Sequence, residues 1–265
     1  PIWDVKFISA SEPDYVLSPQ ECRHSTLYME KRAVQGEPTV FSETFEYTSC
    51  GEWHNLRAED VLPYDTTTAL YKEYTAEREK HIVFSPRLRE LAAKLTAGET
   101  NPYLKAKRIF RWINDHFPWA SAREYSTIEN IPEYVLDNRH GDCGQVSLLF
   151  ITLCRISGIP AHFQSGFMMH PRAWNLHDWA EVYFEGVGWV PVDQSFGIPA
   201  FARNADEEYF FLGGIDSWRM IVNTDYGMPL VPEKKYPRSE TVDFQRGEVE
   251  WEGGNLYFPQ WSYHM

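Results

Sequence analysis

The sequence is short of cysteine, of positive charge and of long apolar runs, and each shortage removes a class of protein. Four cysteines in 265 residues, Cys22, Cys50, Cys143 and Cys154, are too few for a disulfide scaffold, and no C-x-x-C pair offers a zinc clamp. Cys22 and Cys50 both fall near the N-terminus, and pairing between them stays open. Lys and Arg number 25 against 38 Asp and Glu, a formal net charge of −13. Such a surface repels a phosphate backbone and an anionic bilayer, so neither nucleic acid nor a charged membrane is an expected partner. No apolar run approaches the roughly 20 residues of a membrane span, so insertion is not expected either. Internal repeats and low-complexity segments are lacking too.

What remains is ample material for a core. The apolar fraction is 43%, enough for a packed interior. Aromatic residues make up 15%, and a β-rich core is the preferred explanation over an extended binding surface. Residues 1–65 look β-rich. Phe41, Phe45 and Tyr47 alternate with Ser42, Thr44, Glu46 and Thr48, the period of a half-buried strand. This stretch is expected to be an accessory β region. Helices follow. Ser85-Pro86 is an N-cap with Pro in the first turn, Leu88, Leu91, Ala92 and Leu95 repeat at helical spacing, and Gly98 can close the element. A second helix is predicted from Pro102, with Ala106, Ile109, Phe110, Ile113 and Phe117 on one face, and a short one from Pro132. Near the end, Glu248–Trp251 and Asn255–Phe258, divided by Gly253-Gly254, predict a closing hairpin.

Residues 141–197 carry the chemistry. Asp142 is a plausible N-cap for a buried helix that starts at Cys143, holds Val146, Leu149, Phe150 and Leu153 on one side, and stops at Gly158-Ile159-Pro160. A strand is predicted over Ala161–Met168 and another over His177–Glu185. A turn at Gly186–Gly188 leads into Trp189–Asp193 as an antiparallel partner. A lone cysteine is more often a small buried hydrophobe than a nucleophile. Cys143 differs from Cys154 in its place: at a helix start the unpaired N–H groups and the dipole favour a thiolate. His177 and Asp193 both fall on odd positions across the proposed hairpin. A carboxylate can then orient one imidazole nitrogen while the other meets the thiol. A metal site from Cys143, His170 and His177 fits no standard spacing, so neither metal nor cofactor is expected.

The segments GDCGQVSLLFITLCRISGIPAHFQSGF and HDWAEVYFEGVGWVPVDQSFG resemble the transglutaminase-like superfamily, with its G-x-C helix start, G-I-P-A-R turn and strand, H-x-W-x-E-V strand and G-W-x-x-x-D. The resemblance implies an α+β, papain-like fold: a central nucleophile helix packed on an antiparallel sheet, within a catalytic core at 66–265 that ends in a β extension. It makes Cys143 the nucleophile, His177 the base and Asp193 the third member, with Trp179, Glu181 and Trp189 at structural positions. It also implies a second oxyanion donor upstream, for which Tyr125 and Trp119 are candidates, with Gln145 a weaker one. His162 stands where the family usually has Arg. The implied activity is cysteine-dependent acyl transfer, hydrolysing a peptide or other amide through a thioester. Alternatives are a protein-glutamine transglutaminase, a glycan-removing amidase, or a non-catalytic binding module. Bacterial relatives of this kind are often exported, and a chain opening on Pro-Ile-Trp-Asp fits a targeting segment upstream.

Overall fold

The computed structural model describes residues 3–121, 123–257 and 259–265. Its N-terminal strands are β1 (Trp3–Ala10), β2 (Tyr15–Leu17), β3 (Leu27–Met29), β4 (Glu43–Ser49) and β5 (Glu52–Trp53). The predicted alternation is present in β4, which begins at Glu43 and half-buries Phe45, Tyr47 and Ser49 while their neighbours stay exposed. β4 pairs antiparallel with β1, and β2 with β3.

Four helices come next: α1 (Ala69–Tyr74), α2 (Pro86–Leu95), α3 (Pro102–His116) and α4 (Ile131–Asn138). Each is started by a side chain that satisfies a free N–H of its first turn: Thr68, Ser85, Asn101 and Asn130 accept from Tyr71, Leu88, Leu104 and Glu133. α4 begins at Ile131, one residue before the predicted Pro132, because Asn130 is its cap.

Helix α5 (Cys143–Ile156) is the axis of the molecule. Asp142 caps it, and every residue from Gly144 to Arg155 is buried. The single apolar face expected from the sequence is too narrow a description, since α2, α3 and α4 pack against this helix as well as the sheet. Its polar residues are satisfied within the interior: Thr152 Oγ1 donates to the Leu148 carbonyl, and Arg155 donates to the carbonyls of Ala161 and Ala76.

The sheet on which α5 lies contains β6 (Ala161–His170), β7 (Ala173–Phe184) and β8 (Gly188–Val192). After a short helix α6 (Ala205–Glu208) and a two-residue strand β9 (Gly214–Ile215), β10 (Arg219–Asn223) completes it in the order β10-β6-β7-β8, all antiparallel. β7 starts four residues before the predicted His177, so β6 and β7 also form a hairpin, closed at Pro171-Arg172. Alternation gives this sheet two characters. Ala180, Val182, Phe184, Val190 and Val192 join the main core with α5, while Trp179, Ile215 and Ile221 form a second apolar cluster. Across that second face His162 Nε2 lies 3.0 Å from Glu181, and Gln164 joins Glu181 to Trp179. The histidine at the expected arginine position therefore still faces an acid.

β5 pairs with β9, and Phe45 stacks on Phe167 of β6, so the N-terminal strands are attached to the sheet. The closing hairpin is β11 (Val249–Trp251) with β12 (Gly254–Leu256); Phe258, assigned to it from sequence, lies outside the described residues. Cys22, Cys50, Cys143 and Cys154 are all free thiols. Among the described residues no helix is long and apolar enough to cross a membrane.

Candidate active site

Cys143 occupies the first position of α5. Its thiol donates to Asp178 Oδ2 at 3.4 Å. His177, the residue before Asp178 on β7, binds Asp193 instead: Nε2 to Oδ2 is 2.8 Å, with Asp193 fully buried. Asp193 follows the last residue of β8, and the β7–β8 register puts it two positions from the point opposite His177, the offset expected from the hairpin. Cys143 and the His177–Asp193 pair thus meet through neighbouring residues of one strand. Among the described residues, however, the hydrogen bond of the thiol runs to Asp178 rather than to the imidazole. Alternation explains this. His177 stacks on Trp179, whereas Asp178 points to the opposite side of the strand, the one it shares with Ala180.

Asp193 is held from several sides. Oδ2 also accepts from Arg219, at 2.8 Å, and Oδ1 from the backbone N–H groups of Ser195 and Phe196. Burial alone would raise its pKa. The charges of His177 and Arg219, with hydrogen bonds from His177 and the Phe196 N–H, outweigh it and hold Asp193 below the usual carboxylate range.

The thiol's surroundings are different. Tyr125 donates to Asp142 Oδ1 at 2.6 Å, and its oxygen lies 3.2 Å from Asp178 Oδ2; Gln245 donates to Asp178 Oδ1 at 2.7 Å. Burial and the charges of Asp178 and Asp142 push the Cys143 thiol well above its ordinary value, against a hydrogen bond from the Asp178 backbone N–H. The lowered value expected from the helix start is therefore corrected: a terminal dipole is worth a fraction of a kcal/mol to about 2, less than burial of the thiol together with two adjacent carboxylates. Gly144 fits this crowding. A Cβ there would lie 2.5 Å from Tyr125 Oη and 2.6 Å from Asp178 Oδ2.

The three oxyanion candidates fall in different places. The Tyr125 hydroxyl is committed to carboxylates. Gln145 accepts from the Asp142 N–H and donates to the Arg123 carbonyl, closing a capping box. Trp119 is 60% exposed and lines a cleft of about 160 Å³ with Asn114, Phe117, Gly141, Gln194 and Ser195. His170 lies apart, against Asp216, Phe196 and Trp218.

Asp178, Arg219 and Gln245 escaped sequence reasoning. Asp178 had a signal: it is the one charged side chain in the otherwise apolar series 178, 180, 182, 184. Arg219 and Gln245 had none, since strand pairing and chain return bring them in from outside the motif.

Asp142 makes one consequence measurable. Burial, with the Asp178 charge, raises its pKa to about 7 against hydrogen bonds from Tyr125 and the Gln145 N–H. A carboxyl whose folded pKa exceeds its unfolded value contributes stability below the unfolded value, and loses it as pH rises through the folded one. Asp142→Asn keeps the cap and cannot ionise. Its stability relative to wild type is expected to improve between pH 4 and pH 8, by on the order of 4 kcal/mol. Paired urea titrations at the two pH values check this; a pH-independent difference would refute the raised carboxyl.

Residues 89–194 match the Transglutaminase-like superfamily. The chain is 26% identical over 140 residues to the uncharacterized protein YebA of Bacillus subtilis (strain 168), covering 45% of this chain and 19% of that protein. It is 23% identical over 125 residues to a protein-glutamine gamma-glutamyltransferase of Pseudomonas aeruginosa, covering 43% and 19%. The chain thus spans about a fifth of the length of these curated relatives. The crystal structure of a candidate cysteine protease from Cytophaga hutchinsonii superposes with a TM-score of 0.55 at 18% identity, over 83% of this chain and 69% of that one. That is a likeness of fold.

Proposed function

We propose that this chain is a cysteine-dependent acyl-transfer enzyme that hydrolyses a peptide or protein amide through a thioester, with Cys143 as nucleophile, His177 as acid and base, and Asp193 as orienting acid. One observation carries the reading: the 2.8 Å His177–Asp193 bond sits on the strand whose next residue touches the thiol at the head of α5. Because Nε2 is taken by Asp193, Nδ1 is the nitrogen left to serve the sulfur. For reaction the thiol leaves Asp178 for that nitrogen. Its proton passes to His177, and the sulfur bonds to the carboxamide carbon. The carbonyl oxygen becomes an oxyanion facing the Cys143 backbone N–H. The C–N bond then breaks as His177 protonates the departing amine, leaving the thioester. Water, deprotonated by His177, releases the acid and restores the thiol.

Transfer to an amine uses the same steps with a primary amine in place of water. The likeness to a glutamyltransferase favours keeping it as the second reading. Incubation with a peptide library, followed by mass mapping, is expected to show ammonia or amine release and an acyl adduct on Cys143 that hydroxylamine removes. Added alkylamine appearing in the product selects transfer over hydrolysis. Release that continues unchanged in Cys143→Ala would sink the proposal.

A further inference from the structure

The motif that supplies Cys143 and His177 also supplies a carboxylate that the scheme above does not use. Asp178 is 3% exposed and its Oδ2 accepts from the reacting sulfur itself. Every other bond it makes fixes it in place. Gln245 spans Asp178 Oδ1 and the His177 carbonyl, and Tyr125 lies between Asp178 and Asp142. The Tyr125 hydroxyl has one proton for two carboxylates, so its short bond to Asp142 leaves Asp178 without that donor. The thiol is then the donor that Asp178 Oδ2 holds, as Gln245 is for Oδ1.

We propose that Asp178 is a further catalytic residue: it keeps Cys143 a neutral thiol in the resting site and releases it only when substrate turns the sulfur toward His177. This rests on Cys143 being the nucleophile. The charged groups facing Asp178 are Asp142 and Cys143 from the head of α5, Tyr125 from the turn Tyr125–Thr127, His177 beside it on β7, and Asp243 from the C-terminal segment, with Glu240, Arg246 and Glu124 behind Asp243. The acids outnumber the bases. A second negative charge on the sulfur is therefore opposed while Asp178 is ionised, in keeping with the raised thiol.

The constraint has a use. An exposed, ionised cysteine is oxidised and alkylated indiscriminately. A thiol bonded to a buried carboxylate is protected until an occupied site rearranges the contact.

Asp178→Asn is the direct test, because its amide oxygen still accepts from Gln245 while its NH2 donates to the sulfur and to Tyr125. The rate of Cys143 alkylation by iodoacetamide is followed against pH by peptide mapping, with Cys154, fully buried on the same helix, as internal reference. In wild type the ionisation limb is expected above pH 9. In Asp178→Asn it moves down by at least one pH unit, a tenfold or greater gain in rate at any pH below the limb. Asp178→Ser is expected to move it in the same direction and serves if the Asn variant does not fold. A wild-type limb at or below pH 9 overturns the proposal without any variant, as does a folded variant whose limb is unmoved or moves up. Labelling needs no turnover. A shifted limb in a protein that cleaves nothing would therefore reject the proposed function and with it the catalytic role of Asp178, leaving only its hold on the thiol.

Discussion

Arg219→Met is expected to cost the fold about 3–5 kcal/mol, the loss typical of removing one partner from a buried ion pair. The Arg219 side chain is fully buried, bonded to Asp193 on one side and Asp216 on the other, and packed against Phe196 and Trp179. Methionine fills much of the volume but leaves the Asp193 charge in the interior with His177 as its remaining charged partner. Denaturant titration near neutral pH measures the loss. A second titration, on Arg219→Met combined with Asp193→Asn, is expected to recover most of it, since no fully buried charge is then left unpaired and Asp216 keeps partial exposure and His170 beside it. A single variant within about 1 kcal/mol of wild type would show that the acid does not need the arginine. Arg219→Lys is not a conservative control, because one ammonium cannot span two carboxylates with the geometry of a guanidinium.

Gly166→Ala is expected to be at least as damaging, by more than about 4 kcal/mol, among the largest losses a single substitution causes. Gly166 lies on β6 directly across from His177 on one side and Ile221 of β10 on the other. A Cβ there would lie 1.8 Å from the Met220 carbonyl oxygen, 2.8 Å from its carbon and 3.0 Å from the Val222 nitrogen. All three are backbone atoms, so no rotamer relieves the contact; β10 itself must move. The bulge between Ile221 and Asn223 is the irregularity that lets β10 lie this close. Separation of β10 from β6 would also pull Arg219 away from Asp193. Thermal unfolding gives the answer: a variant melting within a few degrees of wild type would mean that β10 is not held where the structure puts it.

Sequence and structure agree best where local chemistry decides. The caps Ser85 and Asp142, the stop at Gly158 and the β7–β8 turn are short-range features, and each is legible from a handful of residues. The His177–Asp193 pairing was legible for the same reason, since H-x-W and G-W-x-x-x-D lie on adjoining strands. Charge pairing across the sheet was not legible. Nothing in a one-dimensional reading brings Arg219 to Asp193, 26 residues earlier, or folds Gln245 back onto His177. The direction of the Cys143 shift was missed for a related reason. The helix start is visible in the sequence, whereas what outweighs it comes with the fold: burial of the thiol, and two carboxylates, one from the cap and one from a strand.

The bond from Arg219 to Asp193 also orders events in time. During synthesis Cys143, His177 and Asp193 are all made before Arg219, and β10 cannot join β6 until Arg219–Asn223 has been made. Until then Asp193, bonded to His177, lacks its buried counter-charge. Gln245, which spans His177 and Asp178, arrives later still. A growing chain therefore holds Cys143 in an unfinished setting, and the His177–Asp193 pair gains its counter-charge with the last strand to be laid into the sheet.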